Sequence, residues 1–477
     1  MKLKTMSLGL ALGILGGCQG PGEPETMLSL SIPLNGDVCG AASAEAWVLV
    51  QGGEDVGPVA LDVSGDQITG AIEEVPAGVQ VLKVEVKNKQ QLVVYEGMAY
   101  VTVVEKMKSQ VQLTLYRNLT NCPETGADEI PQGKGSLGLT GRLEDAGASG
   151  LQLLGTSLLP FRVIDAEYNR KTDEIIAVSD SPNRLWRVQP ETGKTSFLEL
   201  QKAPVAVSVA PSGTLVAVGH DGWLSVADLT TNKVRTLEVG AVTGDVILAD
   251  NGYAYIIPAV DQWEHIHAVE LATGKELPGS GWSIRAGSVG RLHPSGEFIY
   301  TADRGLSPAD IAKYSIQDGE IKSLYDSPYH GDYAMCGNLW LSEDGRRIFT
   351  ACGNVFRSST SKAEDMTYNG KMDGVGQMKS LDHSAAAKLV AVVPGSSWYD
   401  KNSALDSGIS LFSDDFLNLR GQTKLPAFAV GGKEQSSAGR FVFFSKDGTR
   451  LIALFQAPAE SKLLLDQAFA VYAVGSR

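Results

Sequence analysis

Aromatic and charged side chains gather in six irregular segments of this sequence, at 258–267, 303–311, 326–337, 394–408, 431–439 and 455–467. They carry Trp263, Tyr329, Trp398 and Tyr399 beside Glu264, His265, Asp303, Arg304, His330, Asp332, Asp400, Lys433 and Glu434. Rings beside charges suit recognition of a glycan or a protein, because the ring offers a flat apolar face and the charges fix orientation. His265 and His267 alternate as on a strand and would face one side, but no third ligand accompanies them, so no metal is expected. No G-x-S-x-G elbow, P-loop or calcium loop is present, and no cofactor is expected. The net charge of −14 and pI near 5.0 would repel a polyanion, which argues against nucleic acid as a partner.

Those segments need a scaffold. With 53 glycines, 20% charged and 43% hydrophobic residues, the 477-residue chain reads as folded and turn-rich, too long for one core. Residues 28–122 hold short alternating runs such as LSLSIP, AWVLVQ, VQVLKVEV and AYVTVV, broken by Gly, Pro, Asn and Asp, which predict a β-sandwich. The stretch around Pro76-Ala77-Gly78 resembles the immunoglobulin- or transthyretin-like modules of extracellular bacterial proteins. Residues 123–149 are rich in Gly, Pro and acidic residues and read as a linker.

From 150 to 477 a unit recurs as strand, Ser-Gly or Asp-Gly turn, strand, loop, strand, turn; its clearest copy is VAVSVAPSGTLVAVGHDGWLSVADLTTNKVRTLEV. First turns near Lys171, Ser212, Asn251, Ser295, Asp344, Ala385 and Asp447 are spaced by 41, 39, 44, 49, 41 and 62 residues. Propeller blades repeat every ~40–50 residues. The repeat resembles the seven-bladed YVTN/lactonase-like β-propellers, so the expected fold is all-β, a sandwich followed by a seven-bladed β-propeller. The last unit ends at its third strand, and the run Leu151–Gly155 is expected to supply the fourth. In such blades the long insertions open on one face, giving a ligand-binding face with Trp263, Glu264, His265, Asp303, Arg304, Tyr329, His330, Trp398, Tyr399 and Asp400. The resemblance also raises a hydrolytic reading, for which Arg304, His330 and Asp332, with Asp303, are the nearest candidate set; no catalytic motif matches residue by residue. Trp223, Trp340 and Phe349 are expected between blades, and His293 and His383 as structural hydrogen-bonders.

The N-terminus joins Lys2 and Lys4 to an apolar run of 11 residues, Met6–Gly16, too short to span ~30 Å of hydrocarbon. It ends in Leu15-Gly16-Gly17-Cys18, which resembles the bacterial lipoprotein signal. The resemblance implies a leader over 1–17, lipidation of Cys18 and a tether over 18–27. Gln19 rather than Asp after the Cys favours the outer membrane by the same resemblance. Four further cysteines allow three pairings in an oxidising compartment. Cys336 and Cys352 lie symmetrically about Asp344, so a hairpin would set them opposite each other, leaving Cys39 with Cys122. The reading of the whole is a lipid-anchored envelope protein, non-enzymatic, whose loop face binds a macromolecular or glycan ligand. A membrane-tethered lactonase-like hydrolase and a structural scaffold of an envelope assembly are the alternatives.

Overall fold

Alternation along the N-terminal strands sorts their side chains between core and solvent. In Met27–Pro33, Leu28, Leu30 and Ile32 are buried while the residues between them are not. The computed structural model describes residues 26–34, 37–50, 54–65, 67–105, 107–111, 113, 115–118, 120–122, 139–140, 151–277, 279, 281–372, 374–395, 408–430, 433–457 and 469–476. The expected leader and Cys18 lie outside them. Apart from one short 3-10 turn at Gln317–Gly319, the regular structure is all β. Among the described residues no helix is long and apolar enough to cross a membrane.

In the N-terminal region Val56–Ser64 runs from one sheet into another. Its first half pairs with Ala41–Leu49, its end with Gln67–Glu73. One apolar core holds Leu30, Ile68 and Ile72 from one side and Ala46, Val84 and Tyr95 from the other. Cys39 and Cys122 lie at disulfide distance at its edge, Cα–Cα 5.7 Å.

From Asp165 onward the chain folds into antiparallel four-stranded meanders. The first comprises Asp165–Asn169, Glu174–Asp180, Asn183–Val188 and Thr195–Glu199. The second and third share the long strand Lys233–Leu248, which pairs backward with Asp221–Asp228 and forward with Tyr253–Pro258. The fourth, fifth and sixth begin at Val289–Leu292, Leu339–Leu341 and Gln377–Ser384. The last has strand order Leu151–Leu159, Phe469–Ser476, Arg450–Gln456, Ala438–Phe444, so the segment before the first meander does supply its missing strand.

The tight turns recur where the repeat places them. Each has one residue in the left-handed region: Asp173, Gly213, Gly252, Gly296, Gly345, Lys388 and Gly448. At Gly345 the requirement is plain, because its φ of 70° costs a side-chain-bearing residue ~1 kcal/mol or more and glycine nothing. Neighbouring turns interlock: Asn169 Nδ2 donates to the Gly213 carbonyl (2.8 Å) and His293 Nε2 bonds the Gly345 carbonyl (2.9 Å). The Glu343 N–H donates to His383 Nδ1 (3.0 Å), and the Lys446 N–H of the last meander donates to Asp173 of the first (2.9 Å). Asp228 and Glu270 cap their own turns, accepting from the Thr230 N–H and the Thr273 hydroxyl.

Second strands such as LVAVG and LIALF are apolar on both faces because successive residues enter different cores. Tyr255 packs toward Tyr314 of the fourth meander, while Ile256 packs toward Leu224 of the second. Ile299 faces the third meander; Tyr300 faces Phe356 of the fifth. Each such core among the described residues is shared by two consecutive meanders. The core of Trp186 and Phe197 from the first also holds Ile452 and Val471 from the last.

Three findings correct the sequence reading. The hairpin register is Leu339↔Thr350, so Cys336 and Cys352 lie in turns beyond the strand ends rather than opposed within the ladder, with Cα–Cα 5.5 Å. The segment 123–149 includes a short strand, Leu139–Thr140, paired with Ala427–Val430. The N-terminal region is also continuous with the first meander: Tyr116–Asn118 pairs with Val93–Val103 on one side and with Thr195–Glu199 on the other. At that seam Arg184 forms a bidentate pair with Glu96, both buried.

Between the fourth and fifth meanders lies a buried ion pair, Lys313 Nζ to Asp365 Oδ2 at 2.8 Å. Tyr300 and Tyr325 hydroxyls donate to the same carboxylate (2.9 and 3.0 Å), and Lys313 Nζ sits 4.3 Å from the Phe298 ring centroid.

Candidate functional site

The first strand of each meander is an edge, hydrogen-bonded to its own sheet on one side only. In the second, third, fourth and last meanders, N–H groups on the other side are met by side chains from the preceding meander, as a buried edge demands. Asp165 accepts from Val207 N–H (2.9 Å) and Glu167 from Val209 N–H (2.7 Å). Ser208 accepts from Leu248 N–H (3.1 Å), and Asp245 from Gly290 N–H (3.0 Å) and Arg291 (3.0 Å). Ser380 and Asp382 accept from Val442 and Phe444 N–H, with Arg170 Nη2 donating to both oxygens of Asp382. Burial pushes the Asp165 carboxyl up to about 6 and that of Glu167 up to about 8, although each also accepts a backbone N–H that works the other way. Glu167 is therefore largely protonated at neutral pH.

The tight turns join the ends of first strands to the starts of second strands. At the opposite strand ends lies a cavity of about 710 Å³. Three cations line it: Arg304 after a second strand of the fourth meander, Lys379 at the start of the sixth, and Arg440 at the start of the last. Asn338, Gln377 and Gln456 add amides, and Phe441 and Met378 add apolar surface. None of the described lining residues is acidic, in a chain of net charge −14. Arg304 is held by its Nε donating to the Gly337 carbonyl (3.0 Å), and Gly337 follows Cys336, whose bridge to Cys352 forms part of the wall. Arg440 Nη1 donates to Gln456 Oε1 (2.7 Å). Burial holds both guanidiniums below their usual pKa, and both remain cationic at neutral pH. The described lining residues offer no hydroxyl, imidazole, carboxylate or free thiol, and what they do offer is charge and hydrogen bonding suited to an anion.

No protein-family model matches the chain, and no curated protein matches it.

The residues singled out from the sequence fall into separate places. Arg304 lines the cavity; Asp303, His330 and Asp332 do not. His330 Nδ1 instead approaches Asp310 Oδ2 (3.3 Å), and ligand atoms of Asp310, Asp326 and His330 lie within 4.8 Å of one another. Burial and then the charge of Asp310 raise the Asp303 carboxyl. Trp263 is exposed, 52%, on a two-residue strand paired with Ile284–Arg285. Glu264 bonds His267 Nε2 (2.9 Å), and Glu276 engages its Nδ1 (3.2 Å); His265 is exposed. Tyr329 is half-buried: its hydroxyl accepts from Tyr368 N–H (3.1 Å) and its ring meets Tyr333 edge-on. Trp398, Tyr399 and Asp400 lie outside the described residues. Phe349 is buried, Trp223 and Trp340 are half-buried, and His293 and His383 serve as hydrogen-bonders within the turns.

Lys379, Arg440 and Gln377 lie outside the six irregular segments because they sit at the ends of strands, whereas Gln456 falls within the segment 455–467. The signal was present: in QMKSL and AGRFVFF a cation opens a strand that is otherwise apolar or small.

Proposed function

We propose that the chain is a lipid-anchored envelope protein in which a β-sandwich carries a seven-bladed β-propeller, and that the propeller's loop face binds a macromolecular or glycan ligand without transforming it. The cyclic sharing of cores, with the last meander packed on the first and clasped by Leu151–Leu159, supports the propeller reading. The observation that carries the binding function is the cavity at the loop end of the strands, where three cations and three amides converge. A hydrolase would need a base there, and His330 and Asp332 stand elsewhere. Lipidation at Cys18 would tether the protein to a membrane of the envelope, with the sandwich lifting the propeller away from the anchor.

The test is capture from envelope extracts by the mature protein, compared with an Arg304→Glu/Arg440→Glu variant that melts at the same temperature. A ligand retained by the wild type, lost by the variant and recovered chemically unchanged is the expected result. An identical set of captured molecules from both proteins removes the cavity as the binding site, and a chemically altered one removes the non-enzymatic reading.

A further inference from the structure

We infer that the ligand's anchoring group is the carboxylate of an acidic sugar, bound within the cavity of Arg304, Lys379 and Arg440; this rests on the binding reading above. Three kinds of surface meet there, and each narrows the ligand. The cations select an anion, and guanidinium groups match the two oxygens of a carboxylate in a bidentate fork. Arg304 is positioned for this by its Nε bond to the Gly337 carbonyl, and its two Nη groups make no hydrogen bond among the described residues. The amides of Asn338 and Gln377 both donate and accept, which is what ring hydroxyls require and what a bare anion does not use, while the Gln456 side-chain oxygen is taken by Arg440. Phe441, half-buried, gives apolar area on which the C–H face of a pyranose can lie. A molecule with one carboxylate, several hydroxyls and an apolar ring face is a uronic or similar acidic sugar. The volume of about 710 Å³ is that of a small-ligand pocket, suited to the end of an oligosaccharide rather than a protein domain. A peptide would pair with edge N–H groups of the first strands, but those of Val442 and Phe444 are already taken by Ser380 and Asp382.

Calorimetry on the full mature lipoprotein in detergent tests this with four probes: trigalacturonate, neutral galactotriose, a sulfated galactotriose and triglutamate. Trigalacturonate should bind at least about tenfold more tightly than each of the others, the scale of one charge-assisted hydrogen bond. Its affinity should fall with added salt. Arg304→Met and Arg440→Met should each weaken it by about tenfold or more. The comparison among probes uses the wild type and does not depend on a variant folding. Equal or tighter binding of the neutral, sulfated or peptide probe overturns the acidic-sugar assignment while leaving a binding face in place. Capture of an envelope ligand at the cavity, together with no response to trigalacturonate, overturns it too. Loss of any cavity-dependent capture removes the underlying reading instead.

Discussion

Replacing Lys313 with Met tests how the fourth and fifth meanders are held together. The ammonium is 2% exposed and Asp365 0%, so neither charge is compensated by water. Lys313→Met keeps side-chain length and apolar contact but leaves a carboxylate whose cation is gone. Removing one partner of a buried pair costs about 3–5 kcal/mol. Asp365 retains Tyr300 and Tyr325 hydroxyls and the Ser359 and Met366 N–H groups as donors, which offsets part of its desolvation and places the expected loss near the lower end, about 3 kcal/mol. Lys313→Met/Asp365→Asn has no orphaned charge and should be more stable than the single variant. Urea unfolding with disulfides intact, at pH 7.5, measures all three proteins. A Lys313→Met loss below about 1 kcal/mol, or a double variant weaker than the single one, would refute the reasoning.

Other outcomes follow from the same structure. Glu167, raised to about 8, binds its proton more tightly folded than unfolded, so it lowers stability as pH rises from its ordinary value toward 8. Glu167→Gln should flatten the stability–pH curve over that window, and an unchanged slope would contradict the assignment. Cys336→Ser/Cys352→Ser opens a loop of sequence separation 16 and should cost about 3 kcal/mol. It should also weaken ligand binding by freeing Gly337, the anchor of Arg304; titration and melting together separate the two effects. Cys18→Ala should move the protein from the membrane to the soluble envelope fraction, and continued sedimentation with membranes would count against lipid anchoring.

The site itself was only partly legible. Arg304 stood out because it follows Asp303 in a loop of charged residues. Lys379 and Arg440 did not, since each sits in a strand and is separated from Arg304 by more than a meander of chain. His330 looked like a partner for Arg304 by proximity in sequence, yet its strand connection carries it to Asp310. The Lys313–Asp365 pair was equally hidden, because nothing in the strand IAKYS tells which carboxylate, 52 residues on, its lysine will meet.

The sequence by itself determined the all-β character, the unit length, the seven turn positions, the clasp by the segment near 151 and the partners of the cysteines. These depend on local rules: alternation, left-handed turn residues, and an unpaired strand seeking the one complement left. Which side chains meet at the cavity was decided only by the tertiary structure. Convergence there depends on the rotation between successive sheets and the register of each first strand, and a one-residue slip turns every side chain to the other face.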